Sequence, residues 1–248
     1  MAPTVCMPVY NAAAQHPPSV KVSKQPRIVQ ISGTLRSISN RTTLRVRPRT
    51  LIDLRIHIAG QEDLRKANIG RFVVRTGNGQ DSIELPPPHR STVAQHVFST
   101  PGAAVILFEG GAQKLRASNA WEKVTHCSRT ILNVQPDIQS PTVEYPDPGV
   151  TSKAGMRVEL LPLVHVHQLR IGDNLPVKSY LLGQTLKHTE IHAVLPDGTT
   201  ISRNSGANGI AFFPMTQSGI WTFRFIQQHE NDTLVAELIF ELERETPR

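Results

Sequence analysis

His165 and His167 are separated by one residue, with Val164 and Val166 in the alternate positions. On an extended strand the two imidazoles share a face, roughly 6.6 Å apart at the backbone, close enough to converge on one metal ion. A second row follows in His188, Glu190 and His192, opposite Thr189, Ile191 and Ala193. His188 and His192 are roughly 13 Å apart on a regular strand, so Glu190 with one histidine is the workable pair. The candidate metal ligands are therefore His165, His167, Glu190 and His192. Each pair supplies two donors, whereas a zinc site uses three or four. The plainer reading is a solvated strand face carrying histidines. Cys6, Met7 and His16 add soft and borderline donors near the N-terminus.

Other chemistry is sparse. The chain has no G-x-S-x-G elbow, no H-E-x-x-H, no P-loop and no G-x-G-x-x-G. Cys127 follows His126, but neighbours on a strand point to opposite faces, so they are poorly placed as nucleophile and base. No enzyme signature emerges. Arg45, Arg47 and Arg49 alternate and share one strand face, which is either a solvated surface or a seat for an anionic polymer. The net charge of +7 is compatible with both. Aromatic residues make up only 5% of the chain, which argues against base stacking on single-stranded nucleic acid.

The elements that must position these residues read as strands. Nineteen prolines against 16 glycines make turns frequent and long helices improbable. In Leu51–Ile58 the apolar residues Ile52, Leu54, Ile56 and Ile58 alternate with Asp53, Arg55 and His57, as in a half-buried antiparallel strand. Phe72–Val74 leads to Gly77-Asn-Gly79, and Ala103–Phe108 follows a Pro-Gly turn. The stretch from Gly110 to Ser128 has the one helix-compatible composition. In the second half, strands are expected at Met156–Leu160, Val164–Leu169, Pro176–Leu182, His188–Leu195, Ile210–Phe213, Ile220–Gln227 and Thr233–Leu242. Trp221, Phe223 and Phe225 share one face of their strand as sandwich core, with Thr222 and Arg224 on the other.

This spacing predicts an all-β chain of two tandem antiparallel β-sandwiches. The expected organisation is a flexible tail over residues 1–26, a first sandwich over 27–135, a Pro-rich linker over 136–155 and a second sandwich over 156–243. No run approaches the roughly 18 apolar residues of a transmembrane span. The N-terminal sequence lacks the basic start and continuous apolar core of a secretory signal, so either the protein stays inside the cell or a leader is missing. Two cysteines, Cys6 and Cys127, leave a disulfide possible without demanding one.

The succession from Trp121 to Phe225 resembles a known family. It includes Gly155-Met-Arg-Val-Glu-Leu-Leu-Pro-Leu163, Leu169-Arg-Ile-Gly-Asp-Asn-Leu-Pro-Val177, Leu181-Leu-Gly-Gln-Thr-Leu186, Asn208-Gly-Ile-Ala-Phe-Phe213 and Ser218-Gly-Ile-Trp221. It is similar to a bacterial domain-of-unknown-function family associated with periplasmic nickel- or cobalt-uptake accessory components. The later part is shared with transthyretin-like and carboxypeptidase-regulatory-like sandwiches. The resemblance implies a second domain of prealbumin type, a periplasmic location and a non-enzymatic role near divalent-metal uptake; the cofactor is left open, with a divalent transition metal such as nickel as the candidate. It implies metal-transport components or another envelope protein as partners, and it assigns no ligand to a numbered residue. Set against it is a structural or interaction sandwich that binds a protein partner without metal.

Overall fold

A computed structural model describes residues 4–5, 44–46, 51–55, 69–82, 93–110, 113–117, 120–135 and 147–243. The chain is built from strands: β1 (Thr4–Val5), β2 (Arg45–Val46), β3 (Leu51–Arg55), β4 (Ile69–Thr76), β5 (Gly79–Ser82), β6 (Val93–Val97), β7 (Gly102–Gly110), β8 (Gln113–Ala117) and β9 (Ala120–Val134). After the 136–146 segment come β10 (Val158–Pro162), β11 (Asn174–Leu181), β12 (Gln184–Thr185), β13 (Glu190–Val194), β14 (Thr200–Asn204), β15 (Ile210–Pro214), β16 (Gly219–His229) and β17 (Asp232–Leu242). A single 3-10 turn, Val166–Gln168, is the helical element among the described residues. No helix there is long and apolar enough to cross a membrane, which leaves β-barrels unaddressed. The all-β, sandwich-like class expected from the sequence is what the chain adopts.

The strands form a ten-stranded sheet of backbone order β14-β13-β16-β17-β9-β7-β4-β5, with β2 and β8 also on β9. A four-stranded sheet of β10, β11, β12 and β15 packs on one face of it. A three-stranded sheet joins β1, β3 and β6. The long β9 organises the large sheet. It runs antiparallel to β7 and parallel to β17, with Lys123 to Thr130 beside Asp232 to Ile239. Strands from both sides of the 136–155 segment thus share a sheet. They also share a core, in which Val105, Leu107 and Ile131 meet Val158, Leu160, Val177, Trp221 and Phe240.

The core face of β16 is the alternation of the sequence made solid. Trp221, Phe223 and Phe225 are fully buried. Phe223 stacks on Phe240 at 5.7 Å between ring centroids and meets Phe213 edge-on at 5.0 Å. Such rings contribute both apolar area and favourable quadrupole geometry.

Two segments depart from expectation. Among the described residues of 110–128 there is no helix: β8 pairs antiparallel with β9, with Arg116 opposite Trp121. Helix-compatible composition yields here to β-branched Val124, Thr125, Thr130 and Ile131, and to neighbours on both edges of β9. Residues 164–169 form no strand. The ladder ends where Leu163 N–H donates to the Pro176 carbonyl, and the chain turns into the 3-10 segment. Val164 is 36% exposed while Val166 is 1% exposed, so the two valines do not share a face.

Gly209 is required by space and by backbone conformation. Its φ is +74°, and a Cβ there would lie 2.5 Å from the Leu186 carbonyl oxygen. Gly209→Ala is expected to cost more than about 1 kcal/mol, read as a lowered midpoint in urea unfolding with unchanged slope.

Candidate functional site

The four residues expected as metal ligands fall into two separate places. His165 precedes the 3-10 turn and is half-exposed, its Nε2 3.7 Å from Asp147 Oδ2. His167 lies inside the turn and is largely buried; burial lowers its pKa, against the opposing pull of Glu243 and the Leu132 carbonyl. The strand-face pairing of His165 with His167 is therefore corrected: a 3-10 turn, unlike a strand, sends residues two apart in different directions. Glu190 and His192 do share a face of β13, with Oε2 and Nε2 3.8 Å apart. Among the described residues no group of three or more His, Cys, Asp or Glu side chains is placed to hold a metal ion.

His192 belongs instead to a polar row crossing the large sheet. The pairing registers put Ser202 opposite His192, His192 opposite Arg224, Arg224 opposite Glu237, and Glu237 opposite Ser128. These side chains all point away from the aromatic core, since Trp221, Phe223 and Phe225 occupy the alternate positions of β16. At the outer end, the Ser202 hydroxyl and His192 Nδ1 are 2.7 Å apart. At the inner end the row is buried. Glu237 and His126, two positions before Ser128 on the same face, are both nearly inaccessible. Among the described residues, Glu237 Oε1, His126 Nε2, Ser128 Oγ and Thr130 Oγ1 find no hydrogen-bond partner. Burial pushes the Glu237 carboxyl up to about 7, although Arg224 pulls the other way. Burial, and secondly Arg224, lowers the His126 imidazole to about 4.

This arrangement sets a row of polar groups across the large sheet. Ser202 and His192 are a hydroxyl–imidazole pair on an edge, with Glu190 well exposed beside them. Cys127 points into the core, away from His126, and burial pushes its thiol up to about 12, far from a reactive thiolate. Cys127 is a free thiol. Cys6, Met7, His16, Arg47 and Arg49 lie outside the described residues. Arg45 already faces Glu241 at 3.3 Å and Glu243 at 4.0 Å, which blunts its attraction for a polyanion.

A second surface was not visible in the sequence. The outer face of the small sheet carries Pro176, Lys178 and Tyr180 on β11, with Ile210 and Phe212 opposite on β15. Their alternate neighbours Val177, Ala211 and Phe213 are buried in the core. Phe212 is 58% exposed, an unusual position for a phenylalanine at the centre of a strand. The 147–154 loop reaches the same face. Lys153 Nζ stands 5.1 Å from the Tyr180 ring centroid, and Lys178 Nζ 5.5 Å from it. That loop is anchored from below by Arg129, which donates to the carbonyls of Gly149, Val150 and Ser152 and to the Glu159 carboxylate.

A family model described as "Domain of unknown function (DUF4198)" matches residues 58–229. No curated protein matches the chain. Among solved structures it is similar to a two fibronectin type-III domain segment from chicken tenascin, at 10% identity, covering 79% of this chain and 94% of that one, with a TM-score of 0.24. It is also similar to fibronectin(III)-like modules of CbhA from Clostridium thermocellum, at 10% identity over 85% of this chain and 97% of that one, with a TM-score of 0.23. A third likeness, to a Ca2+-stabilized adhesin of an Antarctic bacterium, is at 6% identity over 81% of this chain and 46% of that one, with a TM-score of 0.24.

Proposed function

The chain belongs to the DUF4198 family, and from that premise we propose that it is a non-enzymatic binding or accessory module of the cell envelope that docks a protein partner on the outer face of its small sheet. The observation that supports this reading most directly is that face: Phe212, 58% exposed, stands opposite Pro176 on the same sheet face as a tyrosine flanked by two lysines. An exposed aromatic side chain on a sheet face that also carries charged groups is the kind of anchor around which interfaces are built.

A photo-activatable phenylalanine analogue placed at position 212 tests this in cells that make the protein. The same analogue at position 226, which replaces the 38%-exposed Ile226 of β16, is the control. The expected result is one discrete cross-linked product from position 212 and none from position 226. Equal products from both, or none from either, would remove the reading.

A second reading is favoured by one observation, the 3.8 Å approach of His192 to Glu190. In it the protein is an accessory to nickel or cobalt uptake, as the sequence resemblance implies, and these two residues begin a metal site. A site of that kind needs at least one further donor. The partner reading predicts that nickel and cobalt raise the melting temperature no more than magnesium does. A rise specific to nickel or cobalt and abolished by His192→Ala would reverse the ranking, because a ligand that binds only the native state stabilises it by mass action.

A further inference from the structure

We infer that the segment docked on the outer face of the small sheet is an acidic, extended peptide bearing a large apolar side chain; this rests on the partner-binding reading above. The charge of the face supplies the first argument. Lys153 and Lys178 both stand over the Tyr180 ring, so their ammoniums lie within about one Debye length, roughly 10 Å at 0.1 M salt, of each other. Neither has a carboxylate partner among the described residues, where Lys153 Nζ reaches only the Gly183 carbonyl at 3.3 Å. Two like charges gathered on one ring are relieved by an anion between them. The exposed Phe212 and its neighbour Pro176 call for an apolar group a strand's spacing away.

Three other occupants fit less well. A second copy of the chain, related by two-fold symmetry, would bring lysines against lysines in a protein of net charge +7. Strand addition to the edge of β15 has little to use. The Pro176 carbonyl accepts from Leu163, so Pro176 points toward β10, and its opposite number Phe212 directs its own N–H and C=O to the open edge. On either side of Phe212, Ile210 already accepts from Gly206 N–H, and Pro214 has no N–H to offer. Recognition is thus through side chains on the face. An anionic membrane would need a broad basic plane, whereas this patch spans the three alternate residues Pro176, Lys178 and Tyr180, roughly 13 Å along the strand.

Fluorescence anisotropy on the full chain tests the inference with labelled peptides of sequence Glu-Val-Glu-Phe-Glu-Val-Glu and its lysine counterpart. The acidic peptide is expected to bind, and the lysine peptide not. Lys153→Glu with Lys178→Glu is expected to weaken binding by about tenfold, or about 1.4 kcal/mol. Phe212→Ser is expected to weaken it comparably, while Arg203→Glu on β14 makes the same kind of charge change on the large sheet and leaves binding within about twofold. All four substitutions are at solvent-facing positions, and unchanged melting temperatures confirm folding. Absence of acidic-peptide binding, equal loss in Arg203→Glu, or preference for phosphatidylserine vesicles over the peptide would each overturn the inference. If the cross-link from position 212 persists in the double-lysine variant, the acidic partner falls and the docking face stands. If that cross-link never forms, the docking face itself falls.

Discussion

Replacing Arg129 by methionine is expected to destabilise the protein by about 3 to 5 kcal/mol, the usual cost of leaving one member of a buried ion pair behind. Arg129 and Glu159 are both buried, and their ion pair lies between β9 and β10. The guanidinium also donates to three carbonyls, with Nη1 2.9 Å from Gly149 O and 3.1 Å from Val150 O, and Nη2 2.7 Å from Ser152 O. The methionine variant leaves those acceptors and the carboxylate without their donor; Val150 and Glu159 are buried, so their unmet groups carry a desolvation cost. Among the described residues Glu159 retains the Ala154 N–H, at 2.8 Å. Urea unfolding measures the loss. The double variant Arg129→Met with Glu159→Leu is expected to be more stable than Arg129→Met alone, because no charge is left stranded. The effect reaches the docking face as well. Hydrogen exchange in the loop at Val150 and Ser152 should accelerate, and Lys153 should lose its fixed place over Tyr180. A methionine variant within about 1 kcal/mol of wild type would mean that water reaches the pair freely and that Arg129 is not what holds the loop.

Much of this architecture was written locally in the chain. Alternation in Ile220–Gln227 announced both faces of β16, and the burial of Trp221, Phe223 and Phe225 follows it. Turn glycines and prolines delimited most strands of the second half. Three things were not local. The 110–128 stretch has helix-compatible residues, but the strand on each edge of β9 decides its conformation. The Val-His-Val-His run at 164–167 alternates perfectly, yet the ladder of β10 ends with Leu163 N–H on the Pro176 carbonyl and the chain enters a 3-10 turn that buries Val166 and leaves Val164 exposed. The parallel pairing of β9 with β17 joins residues more than a hundred positions apart, and no periodicity encodes it.

The candidate sites show the same division. Glu190 and His192 were legible as one strand face, and so was Arg224 beside Thr222. That Arg224 stands opposite Glu237, and Glu237 opposite Ser128, depends on two inter-strand registers. The outer face of the small sheet was hidden differently. Phe212 and Phe213 are adjacent and chemically alike, so only the side on which the core lies tells that Phe213 is buried and Phe212 is open.

The buried end of the polar row makes the second large prediction, and its sign differs between the two groups. Glu237 has its carboxyl raised from 4.5 to about 7, chiefly by burial. The native state therefore holds a proton that the unfolded chain has released, and stability falls as pH rises from about 4.5 to about 7. His126 is lowered from 6.5 to about 4, again chiefly by burial. Here the unfolded chain holds the extra proton, so stability is complete above about 6.5 and is lost as pH falls toward about 4. Each displacement corresponds to about 3 kcal/mol, and between pH 4.5 and 6.5 the two slopes oppose each other. Removing one group should unmask the other. Relative to wild type, Glu237→Gln should gain stability progressively through that window and be about 3 kcal/mol more stable at pH 8. His126→Phe, which keeps an aromatic volume in place, should gain stability at low pH and lose that advantage toward neutrality. The double variant should restore a flat difference curve. Urea midpoints taken at half-unit steps from pH 4 to 8 decide the matter, because other displaced groups such as Glu109 and His167 are common to all four proteins and cancel in the differences. Parallel curves for the two single variants would show that the inner end of the row is wet and that its polar groups are solvated.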